Sequence, residues 1–244
     1  MNRNEFLKRG FSSIAGLSAM AVLAACTKDT VAATAASTTS TGSTNGSSAS
    51  DCTTTPTETV GPFPTKQPAS WVRGDIRSDR TGIVLNAEIT IKNKNASCAA
   101  LSGALVDIWH CDKDGNYSEY GGTGMQSTNF QAVSFLRGRQ TTDANGLVKY
   151  TSIYPGWYSG RATHIHVHVY NASGKSLLVT QIAFPEDISK TVHTIATQFY
   201  TKGVQDTTNA RDNVFSDGVT LEMATVAGSI ADGYKLTHTI VVNG

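Results

Sequence analysis

Residues 155–169 read PGWYSGRATHIHVHV, and the second half of this stretch alternates histidine with isoleucine or valine. Because successive side chains of a β-strand point to opposite faces, the alternation predicts a strand with one apolar face and one histidine face. His164 and His166 lie about 6.6 Å apart along such a strand, close enough for both imidazoles to bind one metal ion. His168 lies about 13 Å from His164, and we expect it to stay outside that site.

Short runs of β-branched and aromatic residues recur around this stretch and are separated by Asn-, Asp- and Gly-containing turns. Such regular spacing predicts an all-β, single-domain β-sandwich over residues 52–244. One helix is expected at 188–200, with Ser189 as its N-cap. The predicted strands are residues 83–91, 104–110, 147–153, 164–170, 177–184 and 236–242.

The first 51 residues do not have the composition of a folded domain. Residues 1–25 have the pattern of a lipoprotein signal peptide, in which basic residues precede an apolar stretch and Leu23-Ala24-Ala25 precedes Cys26. An ordinary cleaved secretory signal is the alternative, and the apolar stretch is too short to span a bilayer. Residues 26–51 are rich in Ser, Thr and Ala, which predicts a flexible tether. We therefore expect an exported protein that contacts a bacterial membrane only through a lipid on Cys26.

Cysteine count and charge add two expectations. The chain has four cysteines, so three remain in the exported part after Cys26, and three pairings are open. We favour a disulfide between Cys52 and Cys98 with Cys111 free and buried, because an oxidising compartment preserves disulfides. The formal charge of the whole chain is +1, and no basic run follows the predicted signal peptide. The sequence therefore predicts no nucleic-acid partner.

Two tyrosines accompany the histidine pair. Tyr117 ends the turn after the predicted strand 104–110, and Tyr158 lies six residues before His164. Taken alone, a tyrosine near a strand is usually a core aromatic. Two phenols beside two imidazoles are a poor ligand set for zinc but suit iron(III), since anionic oxygen donors stabilise the ferric state. A copper or zinc site on the three alternating histidines remains a different possibility.

Other residues with metal-binding chemistry receive structural interpretations. His110 and Cys111 are adjacent on a predicted strand and therefore point to opposite faces, so they are not expected to share an ion. His193 and His238 stand in ordinary polar surroundings and are assigned no function.

Five segments, taken in order, resemble the intradiol ring-cleavage dioxygenases, the non-haem iron(III) enzymes that open catechols between their two hydroxyl groups. The resemblance covers roughly residues 52–185, and the order of the segments makes it more specific than any one of them. The segments are ETVGPF at 58–63, GALVDIWHCD at 103–112, FLRG at 135–138 with TD at 142–143, the 155–166 stretch, and TQI at 180–182.

The resemblance implies the fold, a β-sandwich, and a role for each matching side chain. Four residues match the protein ligands of Fe(III), namely Tyr117, Tyr158, His164 and His166. In the family the tyrosine that matches Tyr158 also acts as a base for the substrate. Arg161 matches a residue that stabilises negative charge on the substrate ring, and Gln181 matches a glutamine that orients an intermediate. The implied enzyme is an intradiol dioxygenase that cleaves catechol-type aromatics with O₂ to muconate-type diacids.

One departure from the family pattern bears on the substrate. Only residues 159–163 separate Tyr158 from His164, whereas cytoplasmic members have a longer loop that helps wall the substrate pocket. A wider opening and activity on several catechols are therefore expected. A surface β-sandwich lipoprotein that binds aromatic or carbohydrate ligands without turnover is the alternative function, and the sequence leaves the oligomeric state open.

Overall fold

A computed structural model describes residues 52–244 of the 244-residue chain. The predicted signal peptide at 1–25, the tether at 26–51 and Cys26 lie outside these described residues. Residues 52–244 contain nine strands, β1 Val84–Asn93, β2 Ala99–Ala100, β3 Leu105–Trp109, β4 Arg137–Thr141, β5 Leu147–Ile153, β6 His164–Tyr170, β7 Ser176–Ala183, β8 Thr225–Ser229 and β9 Gly233–Val242. The same part of the chain contains the α-helix α1, Glu186–Ile195, and four 3₁₀ helices, Pro68–Ser70, Lys94–Ala96, Asn209–Arg211 and Asn213–Phe215.

The strands form two sheets, which confirms the predicted β-sandwich. One sheet has the order β2-β1-β9-β8 with β5 also paired to β1, and the other has the order β4-β3-β6-β7. All pairs are antiparallel except β1 with β9. Buried apolar side chains alternate along β1 and along β6 and meet in one core between the sheets. This alternation is the period-2 pattern that the sequence shows.

Strand bounds agree with the sequence where apolar alternation is clear. The predicted strands 147–153 and 164–170 match β5 and β6 residue for residue. β4 was not predicted, because its sequence RGRQT has no apolar alternation. It is stabilised instead by its antiparallel pairing with β3, in which Arg139 lies opposite Asp107 and forms a 2.5 Å ion pair with it.

The predicted helix bounds were wrong. The helix begins earlier and ends earlier than 188–200, with Pro185 at its N-cap. Ser189 is not the cap, since it lies inside the helix with its hydroxyl 2.9 Å from the buried Tyr154 hydroxyl. Glu186 and Asp187 occupy the first turn, where negative charge interacts favourably with the helix dipole.

Residues 52–65, here called the strap, bond to β9 at Thr55 and to β7 at Glu58, and lie beside His166 at Gly61. The predicted disulfide between Cys52 and Cys98 is confirmed, with Cα atoms 5.8 Å apart, and Cys111 is free and buried. The backbone N–H of Glu58 donates to the carbonyl of Val179 on β7, the edge strand of its sheet. The strap is therefore fixed at its beginning by a covalent bond and in its middle by β7.

Within residues 52–244, no helix has the length and apolar character needed to cross a bilayer.

Candidate metal centre

The four predicted metal-binding side chains converge at one end of the second sheet. His164 and His166, on β6, place their Nε2 atoms 3.2 Å apart. The hydroxyl of Tyr117 lies 3.3 Å from His164 Nε2. The ring of Tyr158 is centred 5.8 Å from that of Tyr117 and 5.7 Å from that of His164. Two phenols and two imidazoles therefore share one space, although Tyr117 is 47 residues from His164 in sequence.

The four side chains differ in burial, so one side of the centre is closer to solvent than the other. Tyr117, His164 and His166 are fully buried, whereas Tyr158 is partly exposed. A small molecule that approaches from solvent therefore meets Tyr158 first.

The orientation of His164 is set by a backbone contact. Its Nδ1 lies 2.6 Å from the carbonyl oxygen of Ala162. Because a carbonyl only accepts hydrogen bonds, Nδ1 carries the proton and Nε2 presents its lone pair to the centre. Burial, followed by the charge of Arg161, lowers the pKa of His164 to about 3. A neutral imidazole with a free lone pair is the form that binds a metal ion.

His166 is held between an aromatic ring and a glycine. Trp109 lies opposite His166 in the β3–β6 register, and the two rings stack in parallel with centroids 4.9 Å apart. On the strap, Gly61 has φ +69°, and a Cβ built on it would lie 2.8 Å from Cε1 of His166. A side chain at position 61 would therefore displace the imidazole. Burial lowers the pKa of His166 well below its usual value, so this ring is also neutral.

The two phenols do not ionise readily by themselves. Burial, followed by the nearby Tyr158, raises the pKa of Tyr117 well above its usual value. Burial also raises the pKa of Tyr158, and the positive charge of Arg161 opposes this shift. A cation in the shared space would favour the phenolate form at either position. The donor set and its burial fit a trivalent metal ion that takes anionic oxygen and neutral nitrogen ligands.

Arg161 lies beside the four donors and is held from two sides. Its Nη1 donates to the Tyr158 hydroxyl at 3.2 Å and lies 3.4 Å from His164 Nε2. Its Nη2 donates to Oε1 of Gln181 at 2.5 Å, and its Nε donates to both carboxylate oxygens of Asp212. Arg161, Gln181 and Asp212 are all buried. The structure thus brings Arg161 and Gln181 to the same centre, as the resemblance to the intradiol dioxygenases implies.

Asp212 was not predicted from the sequence. It stands in a polar stretch 51 residues after Arg161, and no local pattern marks it. Its Oδ2 also accepts from the backbone N–H of Ala162, and its Oδ1 accepts from that of Val214. Asp212 therefore fixes both the guanidinium and the backbone that leads into His164.

Phe63 also belongs to the site, although the sequence marks it only as the last residue of the segment ETVGPF at 58–63. Its ring stacks on Tyr117 at 4.8 Å and meets Tyr158 edge-on at 6.2 Å. The fully buried Arg137 donates to the carbonyls of Phe63 and Ser118, which joins the strap to the turn that carries Tyr117. Phe63 forms an apolar wall beside both phenols.

Three other histidines, His110, His168 and His193, make contacts outside the set of four donors. His168 contacts Ser176 and stacks on Tyr170, so it does not join His164 and His166. Both ring nitrogens of His110 have partners, the carbonyl of Cys111 at 2.8 Å and the hydroxyl of Ser152 at 2.7 Å. His193 Nε2 lies 3.1 Å from the carbonyl of Pro155. These contacts agree with structural roles.

Comparisons with known proteins point to one family. The family described as Dioxygenase matches residues 74–226, more than half of the chain. Chlorocatechol 1,2-dioxygenase of Rhodococcus opacus is 29% identical over 146 residues, covering 52% of this chain and 52% of that protein. The chain thus spans about half the length of this curated relative.

Solved structures show the same fold. An intradiol ring-cleavage dioxygenase from Tetranychus urticae superposes with a TM-score of 0.68 at 27% identity, covering 79% of this chain and 95% of that one. The dioxygenase domain of a dioxygenase and carbohydrate-binding protein fusion from Streptomyces sp. SirexAA-E superposes with a TM-score of 0.55 at 26% identity, covering 78% and 97%. From the matched family, the relative and the fold together, the chain belongs to the intradiol ring-cleavage dioxygenase family.

Proposed function

We propose that this protein binds iron(III) through Tyr117, Tyr158, His164 and His166 and cleaves catechol-type aromatics between their two hydroxyl-bearing carbons. Both atoms of O₂ enter the product, so catechol and O₂ give a muconate-type diacid with no other reactant. The observation that carries the proposal is the convergence of two phenols and two neutral imidazoles in one buried space.

The donor set separates iron(III) from the other metals considered. Zinc and copper sites in proteins are built mainly from imidazole, thiolate or carboxylate, whereas phenolate oxygens stabilise iron in its ferric state. The third histidine that a copper or zinc site would use, His168, makes other contacts. When bound, iron(III) would supply the Lewis acidity that holds a catechol through its two oxygens.

In the proposed reaction Tyr158 takes a proton from the substrate. It is the partly exposed phenol, and its oxygen accepts a hydrogen bond from Arg161 Nη1. This bond stabilises the phenolate form relative to the phenol. Tyr158 therefore receives a catechol proton at its Oη as the substrate enters, while the buried Tyr117 stays in place.

Arg161 supplies fixed positive charge beside the substrate position. Its guanidinium stays protonated at any physiological pH, and its two flanking partners hold it without rotation. Preorganised charge of this kind stabilises negative charge that develops on the substrate ring. Gln181 is anchored in turn by donation from its Nε2 to the carbonyl of Thr59 on the strap.

Two features favour a broad range of catechols. Ser159 and Gly160 are exposed, so the short loop 159–163 leaves the Tyr158 side of the centre open. Phe63 offers an apolar wall against which a flat ring can pack. We propose activity on catechol, substituted catechols, hydroxyquinol and bulkier caffeoyl-type compounds, since a single group in a pocket changes selectivity by only about 1–3 kcal/mol.

The sequence also supports a proposed location. We propose that residues 1–25 direct export and that a lipid on Cys26 anchors the protein to a bacterial membrane.

The purified protein provides the test. We expect about one iron per chain, a visible absorption band from tyrosinate coordination, and intradiol products with uptake of one O₂ per catechol. Oxygen consumption and product mass across a panel of catechols measure the activity. Stoichiometric zinc or copper without iron uptake, or aromatic binding without O₂ consumption in the iron-loaded protein, would contradict the proposal. Extradiol semialdehyde products would contradict the regiochemistry, and a thousandfold preference for protocatechuate would contradict the breadth.

A further inference from the structure

Three carboxylates from two distant segments of the chain meet at the edge of β7. None of them belongs to the four donors of the metal centre. Glu58 comes from the strap, and Asp217 and Glu222 come from the segment before β8. One oxygen of each lies within 4.8 Å of the others. Glu222 is fully buried, Glu58 is half-buried and Asp217 is exposed. Like charges this close repel one another unless a proton or a cation lies among them.

The contacts of Glu222 compensate this repulsion only in part. Its Oε1 accepts a hydrogen bond from the Thr180 hydroxyl at 3.2 Å. Its Oε2 is fully enclosed and has no hydrogen-bond partner among the described residues. Within residues 52–244, no lysine or arginine forms an ion pair with any of the three carboxylates. A buried carboxylate oxygen without a partner destabilises the fold, because the desolvation of its charge is not offset.

We propose that Glu58, Asp217 and Glu222 form a binding site for a hard divalent cation, with Ca²⁺ as the best fit. All three ligands are carboxylate oxygens, which hard cations prefer, and no nitrogen or sulfur donor takes part. Calcium–oxygen distances of about 2.3–2.6 Å allow two ligands of one ion to lie up to about 5 Å apart. The exposed side of Asp217 leaves room for the water ligands that complete the coordination of Ca²⁺.

The titration of the cluster agrees with this geometry. Burial, followed by the charge of Glu58, raises the pKa of Glu222 to about 8. Burial, followed by the charge of Asp217, raises the pKa of Glu58. A bound cation would reverse these shifts, because it favours the ionised carboxylates.

The position of the cluster gives the cation a structural role. Glu58 lies one residue before Thr59, whose carbonyl accepts from Gln181, and three residues before Gly61, which touches His166. The carbonyl of Glu222 accepts from the backbone N–H of Ala183 at the end of β7. A cation here would join the strap to the segment that carries Glu222, across the edge of β7. It would therefore fasten the part of the strap that lines the metal centre.

The test is titration of the iron-loaded protein with Ca²⁺ in buffer free of phosphate and chelators. We expect uptake of about one Ca²⁺ per chain by calorimetry, unchanged iron content, and a rise in the melting temperature of about 5 °C at saturation. Asp217→Asn and Glu222→Gln should abolish the uptake and the rise. The control Asp232→Asn removes an exposed carboxylate outside the cluster and should behave as the wild type does.

Asp217→Asn keeps the test decisive if Glu222→Gln fails to fold, because Asp217 is exposed. Absence of Ca²⁺ uptake by the wild-type protein, or equal uptake by the Asp217 variant, would overturn the proposal. If the wild type binds no Ca²⁺ and Glu222→Gln raises the melting temperature without added ion, a proton on Glu222 holds the cluster together and the proposal is wrong. None of these readouts depends on catalytic activity, so they are independent of the proposed reaction.

Discussion

Asp212 binds the Nε–H of Arg161 with both of its carboxylate oxygens, at 2.9 and 2.8 Å. The pair is buried, and at the other end of the guanidinium Nη1 of Arg161 donates to the hydroxyl of Tyr158. Asp212 therefore decides where the positive charge of Arg161 lies relative to the four donors. It acts through Arg161 and not on the substrate, which makes it a positioning residue.

Asp212→Asn should lower kcat by about 10- to 100-fold, the range found when an outer partner of a metal site is lost. The amide places an N–H against the Arg161 donor, so the guanidinium loses its fixed orientation. Iron content and the visible band should stay close to those of the wild type, since Asp212 contacts none of the four donors directly and the amide oxygen can still accept from the backbone N–H of Ala162. Steady-state kinetics and metal analysis measure both effects.

The matched control is Asp206→Asn, because Asp206 binds Ser159 and Gly160 of the same loop but not Arg161. It should keep a kcat close to that of the wild type. Equal losses in the two variants would show that loop order, and not the position of Arg161, explains the effect.

The two tyrosines should respond differently to removal of the hydroxyl. Tyr117→Phe should lose iron or its visible band, because Tyr117 is the fully buried phenol. Tyr158→Phe should retain some iron and change the spectrum of the catechol complex, because Tyr158 lies at the exposed side and takes the substrate proton. Metal content and absorption with and without catechol distinguish them. Identical behaviour of the two variants would contradict the separate roles.

Gly61→Ala should lower iron occupancy and stability. The new Cβ would lie 2.8 Å from Cε1 of His166, and the positive φ of +69° strains any L side chain. Gly174→Ala is the control, since Gly174 has φ +85° and nothing within 4 Å of a built Cβ. Both variants should melt lower, but only Gly61→Ala should lose iron. An iron content equal to that of the wild type in Gly61→Ala would mean that the backbone of the strap shifts and His166 keeps its position.

Cys52→Ser should reduce the free energy of unfolding by about 2–5 kcal/mol, the usual cost of losing a native disulfide. The bond closes a loop of 46 residues and fixes the beginning of the strap. Denaturant unfolding measures the change, and Cys98→Ser should give the same value. Reductant should destabilise the wild-type protein but have no further effect on either variant. A reductant effect of equal size in the variants would point to another thiol.

Cys26→Ser should release the protein from the membrane fraction, because the proposed lipid attaches to this thiol. Fractionation and the mass of the N-terminal peptide are the measurements. Unchanged fractionation with no acyl mass in the wild type would indicate simple secretion.

The sequence by itself determined the sandwich and the pairing of two histidines on one strand. The alternation in 164–170 is a local signal, because a side-chain period of two needs only consecutive residues to be seen. The disulfide between Cys52 and Cys98 was also predicted, since few cysteines limit the choices. The assignment of Tyr117, Tyr158, His164 and His166 as metal ligands is a prediction that came from the resemblance of their sequence segments to the intradiol dioxygenases.

Only the tertiary structure decided the contacts that join distant segments. The Arg161–Asp212 pair, the contact of Gly61 with His166 and the cluster of three carboxylates that includes Glu222 each join chain segments at least 50 residues apart. The strand β4 also depends on a tertiary contact. Its own sequence does not predict a strand, and its pairing with β3 makes it one. Contacts between distant segments produce no periodic pattern in the sequence from which they could be predicted. They arise when folding brings the strap, the beginning of β6 and the segment before β8 together.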